Sequence, residues 1–380
     1  MTGESYIEFR DFFTGSRLAL VTGATGAGGH NGFLRLTTMV QVNAPGMIAV
    51  EVPGDWPFAA ALPDKTLIIH WRRDIDRGID WYRQHVGVFR DSTYTNSNDQ
   101  RRWLLQAPGL LSLLSWCGVL WPAGKTNRTA FTATKAETIM KTLVQYNATA
   151  SATAASGRDR DAPIYGVAVQ TDAAGGVTLD WSANRSKSLL EELQALAAVA
   201  GGDIDLVYTS STTREFRFYA GQRGTDKQSV ITFAETMGNM HDVTFARLRS
   251  QERTAAVSAG QGEGDLRTLS QRTGTNYHAT QNNIEVFVDA KDLNPDTAAA
   301  REARGDKRLD ELTARDTFTF GVVQTQGIYF GPSGAGSYTL GDLVRVVRPD
   351  GTTVAQQVYR VTLDWQPGQA EHIGVEMRAR

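Results

Sequence analysis

The sequence predicts a mainly β chain with α+β character: two β-barrel domains, an intervening α+β domain and a helical insertion in the second barrel. Three observations lead there. Residues 1–100 are short β-branched and aromatic runs cut by Gly, Pro and Asp turns, the pattern of an all-β barrel or sandwich. The middle of the chain carries apolar residues at helical spacing. From Ser337 the alternation returns as a meander of strands. The boundaries that follow are 1–100 for the first barrel, 101–225 for the α+β domain, 226–275 with 317–380 for the second barrel, and 276–316 for the insertion.

Each element has its own signal. Arg17–Val21 and Phe33–Thr37 flank a glycine-rich turn, and Met47–Val52 and Thr66–Trp71 flank a loop with Pro53-Gly54 and Pro63. Trp81-Tyr82 precede a strand over His85–Phe89. Leu110, Leu111, Leu113 and Leu114 have the spacing of a short buried helix, and Ala136, Ile139, Met140, Leu143 and Val144 line one face of a longer one. Residues 148–162, rich in Ala, Ser, Thr and Gly and holding Arg158 and Asp159, are expected as an exposed loop. Ser188 with Glu191 forms a reciprocal capping box for a helix through Leu189, Leu190, Leu193, Leu196 and Ala197, which Gly201-Gly202 stops. Asp205–Tyr208 and Glu215–Tyr219 make a hairpin with Phe216 and Phe218 on one face. Strands return at Ser229–Phe233, Asp242–Leu248 and Thr254–Ala259. Ala299, Ala303, Leu309 and Leu312 mark a charged helix that Gly305 is expected to break or bend. Gly341 and Asp342 lie in the turn entering the final meander, which runs through Val358, Val361, Leu363 and Trp365 and returns at Ile373–Met377.

Composition narrows the function classes. A formal net charge of −2 argues against tight nucleic-acid binding, which needs a basic stripe to displace counterions. A pore through which nucleic acid slides remains compatible with it. Cys117 is the sole cysteine and sits in an apolar run, so it reads as a small buried thiol rather than a nucleophile. No basic stretch followed by an apolar core opens the chain, no apolar run is long enough to span a bilayer, and a reducing cytoplasm is the expected place of folding.

No constellation points to catalysis, a cofactor or a metal. Leu18 to Gly29, with Thr22-Gly23 and Gly26, Gly28 and Gly29, resembles the dinucleotide loop of short-chain dehydrogenases, where glycines lead into a helix whose N-terminus meets the pyrophosphate. Here Phe33 to Val40 is β-branched and alternating, and no tyrosine has a lysine four residues on. A hairpin turn fits better, and a dehydrogenase is kept as the alternative. Asp74, Asp76 and Asp80 are interleaved with Arg72, Arg73 and Arg77 and lack the closing glutamate of a calcium loop. The six histidines have no ligand spacing. Eight tryptophans raise a glycan-binding module as a third possibility, with Trp121 as its test position, although most stand in apolar runs.

The order of the blocks resembles the tail-hub proteins of long-tailed phages, relatives of the central baseplate hub of contractile-tailed phages. The segments that carry it are Val86-Gly87-Val88-Phe89, Gln106 to Ser115 around Gly109, Ala136 to Lys141, Ser188 to Ala200 with Phe216-Arg217-Phe218, Gly238-Asn239-Met240, Ala259 to Gly264, and Leu340-Gly341-Asp342-Leu343-Val344. They span about residues 45–380, so Gly87, Gly109, Gly341 and Asp342 become the structural motif residues. The resemblance implies a virion structural protein with no catalytic residues and no cofactor. It would be a homotrimer whose two tube-like barrels per chain build a pseudo-sixfold ring under the tail tube or a distal tail protein. Such a ring anchors tip, fibre or receptor-binding proteins and passes genomic DNA without specific binding. The implied place is the tail tip or baseplate, after assembly in the host bacterial cytoplasm. Larger relatives carry a peptidoglycan-degrading domain beyond the meander, which this sequence is expected to lack.

Overall fold

The computed structural model describes residues 3–23, 32–97, 100–121, 126–185, 187–293, 295–325 and 327–379. It is mainly β. The N-terminal block contributes β1 (Gly3–Arg10), β2 (Arg17–Thr22), β3 (Arg35–Gln41), β4 (Ala44–Pro53), β5 (Leu67–Asp74), β6 (Ile79–Val88), β7 (Asp91–Ser97) and β8 (Gln100–Pro108). A four-stranded sheet runs β2-β1-β5-β6, while β3, β4, β8 and β7 belong to a larger sheet. Side chains alternate across a strand, so β4 turns Ile48, Val50 and Val52 inward. In β5 the four residues Leu67 to His70 are all buried, because that sheet is covered on both faces. Ile68 packs with Ile7, Phe9, Ile48, Val50 and Leu105 between the two sheets. Leu67 and Ile69 point the other way, into a cluster with Val86, Val88 and the helical leucines. Burying each such side chain contributes about 1.5–3 kcal/mol.

The middle block follows with α1 (Ser112–Ser115), α2 (Thr126–Thr129), β9 (Ala130–Lys135), α3 (Ala136–Ala148), β10 (Val167–Val169), β11 (Thr178–Ser182), α4 (Leu189–Ala200), β12 (Asp203–Tyr208) and β13 (Arg214–Tyr219). Its three-stranded sheet runs β10-β13-β12. The apolar stripes of α3 and α4 meet in one core, with Ile139, Met140, Leu143, Leu193 and Leu196 fully buried. The Ser188 backbone N–H donates to Glu191 Oε2 at 2.9 Å and the Glu191 N–H donates to Ser188 Oγ at 3.3 Å, so the capping box forms. Gly201 ends α4 with φ of 64° in the left-handed region. The 148–162 segment departs from expectation in part of its length. Most of it is exposed as expected, Asp159 included, but Ala152 and Arg158 are buried, and Arg158 Nη2 donates to Gly118 O at 2.9 Å, so the loop is pinned at these points. Its carbonyl partners satisfy the guanidinium without a carboxylate.

Next come β14 (Thr232–Phe233), β15 (Met240–Leu248), β16 (Ala255–Ala259), β17 (Leu269–Thr273), β18 (Glu285–Asp289), α5 (Ala298–Glu311), β19 (Arg315–Val322), β20 (Tyr329–Phe330), β21 (Ser337–Tyr338), β22 (Leu343–Val347), β23 (Thr353–Trp365) and β24 (His372–Arg378). The chain resolves into two compact units, Met1–His241 with Phe320–Arg380, and Asp242–Thr319. The second unit holds the sheet β17-β16-β18 with α5 packed on it. It begins well before residue 276, where the insertion was expected, because three strands accompany the helix. Gly305 neither breaks nor bends α5 out of register. A Cβ there would stand 2.8 Å from Ser258 Oγ, so the missing side chain lets the helix approach the sheet.

The C-terminal meander does not stand apart as a barrel of its own. The larger sheet runs β14-β22-β23-β3-β4-β8-β7, with β24 also on β23. Val361 faces Val40, Leu363 faces Thr38 and Trp365 faces Leu36. The last strands thus extend a sheet begun near the N-terminus, and among the described residues no closed barrel forms.

Candidate functional site

The chemistry of the first unit concentrates where segments distant in sequence meet. Asp342 is 1% exposed, and its carboxylate accepts from the Thr225 N–H at 2.8 Å, the Thr339 N–H at 2.8 Å and both threonine hydroxyls, with Lys227 Nζ at 3.1 Å. Gly341 beside it has φ of 92°, and a Cβ there would lie 2.9 Å from Gly224 N. The Leu-Gly-Asp turn therefore ties the exit of the middle block to the start of β22. Gly87 and Gly109 form an antiparallel bridge of their own. A Cβ on Gly109 would fall 1.7 Å from Pro45 O, and one on Gly87 would fall 2.5 Å from Ala107 O. Here the edge of the four-stranded sheet crosses the end of β8 with no room for side chains. The Gly87–Gly109 bridge and the Gly341-Asp342 turn occupy different junctions and are not gathered into one site.

Three further ties escape a reading of the sequence. Asp203 is fully buried and accepts from the Arg223 N–H at 2.8 Å and Gln357 Nε2 at 2.9 Å. Only its place directly after the Gly201-Gly202 helix stop hints at a special role. Arg72 donates Nε at 2.8 Å and Nη2 at 2.6 Å to the two oxygens of Glu371, and Nη1 to Tyr82 Oη at 2.5 Å. Burial alone would lower the Arg72 pKa, but Glu371 reverses the sign and holds it above its ordinary value. His70 links the two sheets through Thr38 Oγ1 at 2.9 Å and Ser5 Oγ at 3.0 Å, and burial lowers its pKa to about 3. No pattern in the sequence pairs partners so far apart.

Between the junctions lies a cleft of about 420 Å³. Tyr82, Arg83 and His85 of β6 form one wall, Asp205 and Tyr208 of β12 the other, and Leu340 closes an end. Arg83 Nη2 donates to Tyr208 O at 2.6 Å, and its guanidinium lies 4.6 Å from the Tyr208 ring centroid. Burial lowers the Arg83 pKa below its ordinary value.

The other sequence candidates fall elsewhere. Of the glycine motif, residues 24–29 lie outside the described residues. Gly23 sits where a Cβ would meet the Trp365 ring at 2.1 Å, and Arg35–Gln41 is a strand of the larger sheet. Trp121 is 1% exposed with Nε1 donating to Tyr146 O at 3.0 Å, so it is a core aromatic and not a glycan platform. Cys117 is buried, and burial pushes its thiol up to about 11, which leaves it a poor nucleophile. Asp74 is buried and paired with Arg77. Among the described residues no cluster of His, Cys, Asp or Glu is arranged to hold a metal ion.

A sequence model of the family described as Siphovirus ReqiPepy6 Gp37-like protein matches residues 27–377. No curated protein sequence matches. Among solved structures, the fold is similar to the 43 kDa tail protein of prophage MuSo2 from Shewanella oneidensis, at 10% identity and a TM-score of 0.59 over 100% of this chain and 97% of that one. It is similar to a tail protein from Neisseria meningitidis MC58, at 12% identity and 0.54 over 99% and 97%. A chain of a PdpA–VgrG complex is similar at 7% identity and 0.54, over 100% of this chain and 65% of that one.

Proposed function

Because the chain belongs to the Siphovirus ReqiPepy6 Gp37-like family and is thus a structural component of a phage tail, we propose that it is the hub at the tail tip. In this reading three copies form a pseudo-sixfold ring that caps the tail tube, anchors distal tip or receptor-binding proteins and leaves a channel for the genome. The N-terminal block and the C-terminal meander are its ring-building parts. The observation that carries the proposal is length: the likeness to tail proteins extends over the whole chain rather than one domain. A net charge of −2 suits a lumen that does not retain DNA. The dehydrogenase alternative gains no support, because a strand stands where its helix would have to run.

Native mass spectrometry with negative-stain imaging tests the proposal. A trimer with a central hole is the expected result. A chain that stays monomeric with its purified tail-tube partner present would overturn the ring.

A further inference from the structure

We propose that the cleft between β6 and β12 is a docking slot for an extended, acidic segment of a partner protein, which joins the β12 edge as an added strand and sets a carboxylate against Arg83. The proposal does not depend on ring formation. Both walls are the terminal strands of their sheets, since β6 ends the order β2-β1-β5-β6 and β12 ends the order β10-β13-β12, and β6 is bridged beyond its sheet at Gly87, to Gly109. The direction of the β12 edge follows from its partner. The Arg214 N–H donates to Gly166 O at 2.8 Å and the Gln170 N–H donates to Phe216 O at 3.1 Å, so Arg214 and Phe216 of β13 turn their backbone groups toward the β10 side. By alternation, Glu215, Arg217 and Tyr219 bond β12, and in register Ile204, Leu206 and Tyr208, all buried, turn theirs to the edge away from β13.

What meets those three residues now is a set of side chains. The Ile204 N–H donates to Asn43 Oδ1 at 2.7 Å, the Leu206 N–H donates to Asp205 Oδ1 at 2.9 Å, and Tyr208 O accepts from Arg83. Such local caps stand in for a ladder and are replaceable by the backbone of an added strand. A strand seated there would take over Tyr208 O and release Arg83. Asp205 already pairs with Arg223 at 2.7 Å, so the slot holds one balanced pair and one guanidinium with no carboxylate against it among the described residues. Tyr82, Tyr208 and Tyr219 flank it with aromatic surface. That single uncompensated cation is the charge complement of an acidic side chain, and it selects against a basic one.

The test uses the full chain. The probe is a pool of blocked seven-residue peptides in which valine and threonine alternate and one position holds glutamate, set against a matched glutamine pool. The glutamate pool is expected to bind at least tenfold more tightly and to slow hydrogen exchange at the Leu206 and Tyr208 amides. Arg83→Gln should erase the tenfold preference while the glutamine pool binds as before, and Arg83→Lys should keep most of it. Circular dichroism on both variants separates a lost contact from a lost fold. Equal affinity for the two pools, protection confined to other strands, or no binding at millimolar peptide would each overturn the proposal.

Discussion

Gly109 has no tolerance for a side chain, because the clash is with the Pro45 carbonyl oxygen and backbone cannot step aside. Gly109→Ala is expected to destabilise by about 3 kcal/mol or more, at the upper end for single substitutions, measured by urea denaturation. Asp342→Ala should cost about 1–3 kcal/mol, since it removes the shared acceptor of two part-buried backbone donors and of Lys227; an unchanged denaturation midpoint would show that the turn is not a tie. His70 sets a pH dependence. The unfolded imidazole takes a proton near pH 6.5 and the folded one only near 3, so the stability is fully present above about 6.5 and is lost as pH falls toward 3. Across that window His70 contributes a slope of about 1.4 kcal/mol per pH unit, and His70→Gln should remove that share in a pH series of thermal melts. These residues were unequally legible. Gly341-Asp342 announces a turn by its chemistry, whereas His70 looks like any strand residue until Thr38 and Ser5 are brought beside it.

At the level of elements, local signals translated well and long-range ones did not. The capping box, the Gly201 stop and the apolar stripes of α3 and α4 are written within a few residues of one another, and each forms where expected. The glycine run after β2 imitates a phosphate loop, and the decisive sign was the alternation from Phe33 onward that becomes β3. Gly305 misled because a glycine in a helical stretch signals both a break and a close approach, and only the position of Ser258 decides between them. The salt bridge joining β5 to the β23–β24 turn region offers a sharper test of element packing. Arg72→Met should cost about 3–5 kcal/mol by leaving Glu371 buried and unpaired. Adding Glu371→Gln to that variant should recover part of the loss, and a double-mutant cycle by chemical denaturation reads the coupling directly.

At the scale of the whole molecule, composition shifts near residues 100 and 225 suggest blocks, but the pairing of strands between distant parts of the chain was not readable. Nothing in β23 says that its partner is β3 rather than a strand of a separate barrel. The compact unit Asp242–Thr319 has its own sheet and helix. Replacing residues 250–313 with a short turn between β15 and β19, which pair with each other, should leave the remaining chain cooperative, with a thermal midpoint shifted by less than about 5 °C. Loss of a cooperative transition would show that the unit is needed for the rest to fold.

The β3–β23 pairing also sets a timetable. Arg35 bonds Asp364, a residue 329 positions later. At about 5–20 residues per second, a ribosome takes roughly 15–65 s to travel between them. Through that interval one edge of β3 has no partner, and it is the edge that a neighbouring nascent chain could join instead. An edge left unpaired for that long has to be shielded until the end of the chain arrives.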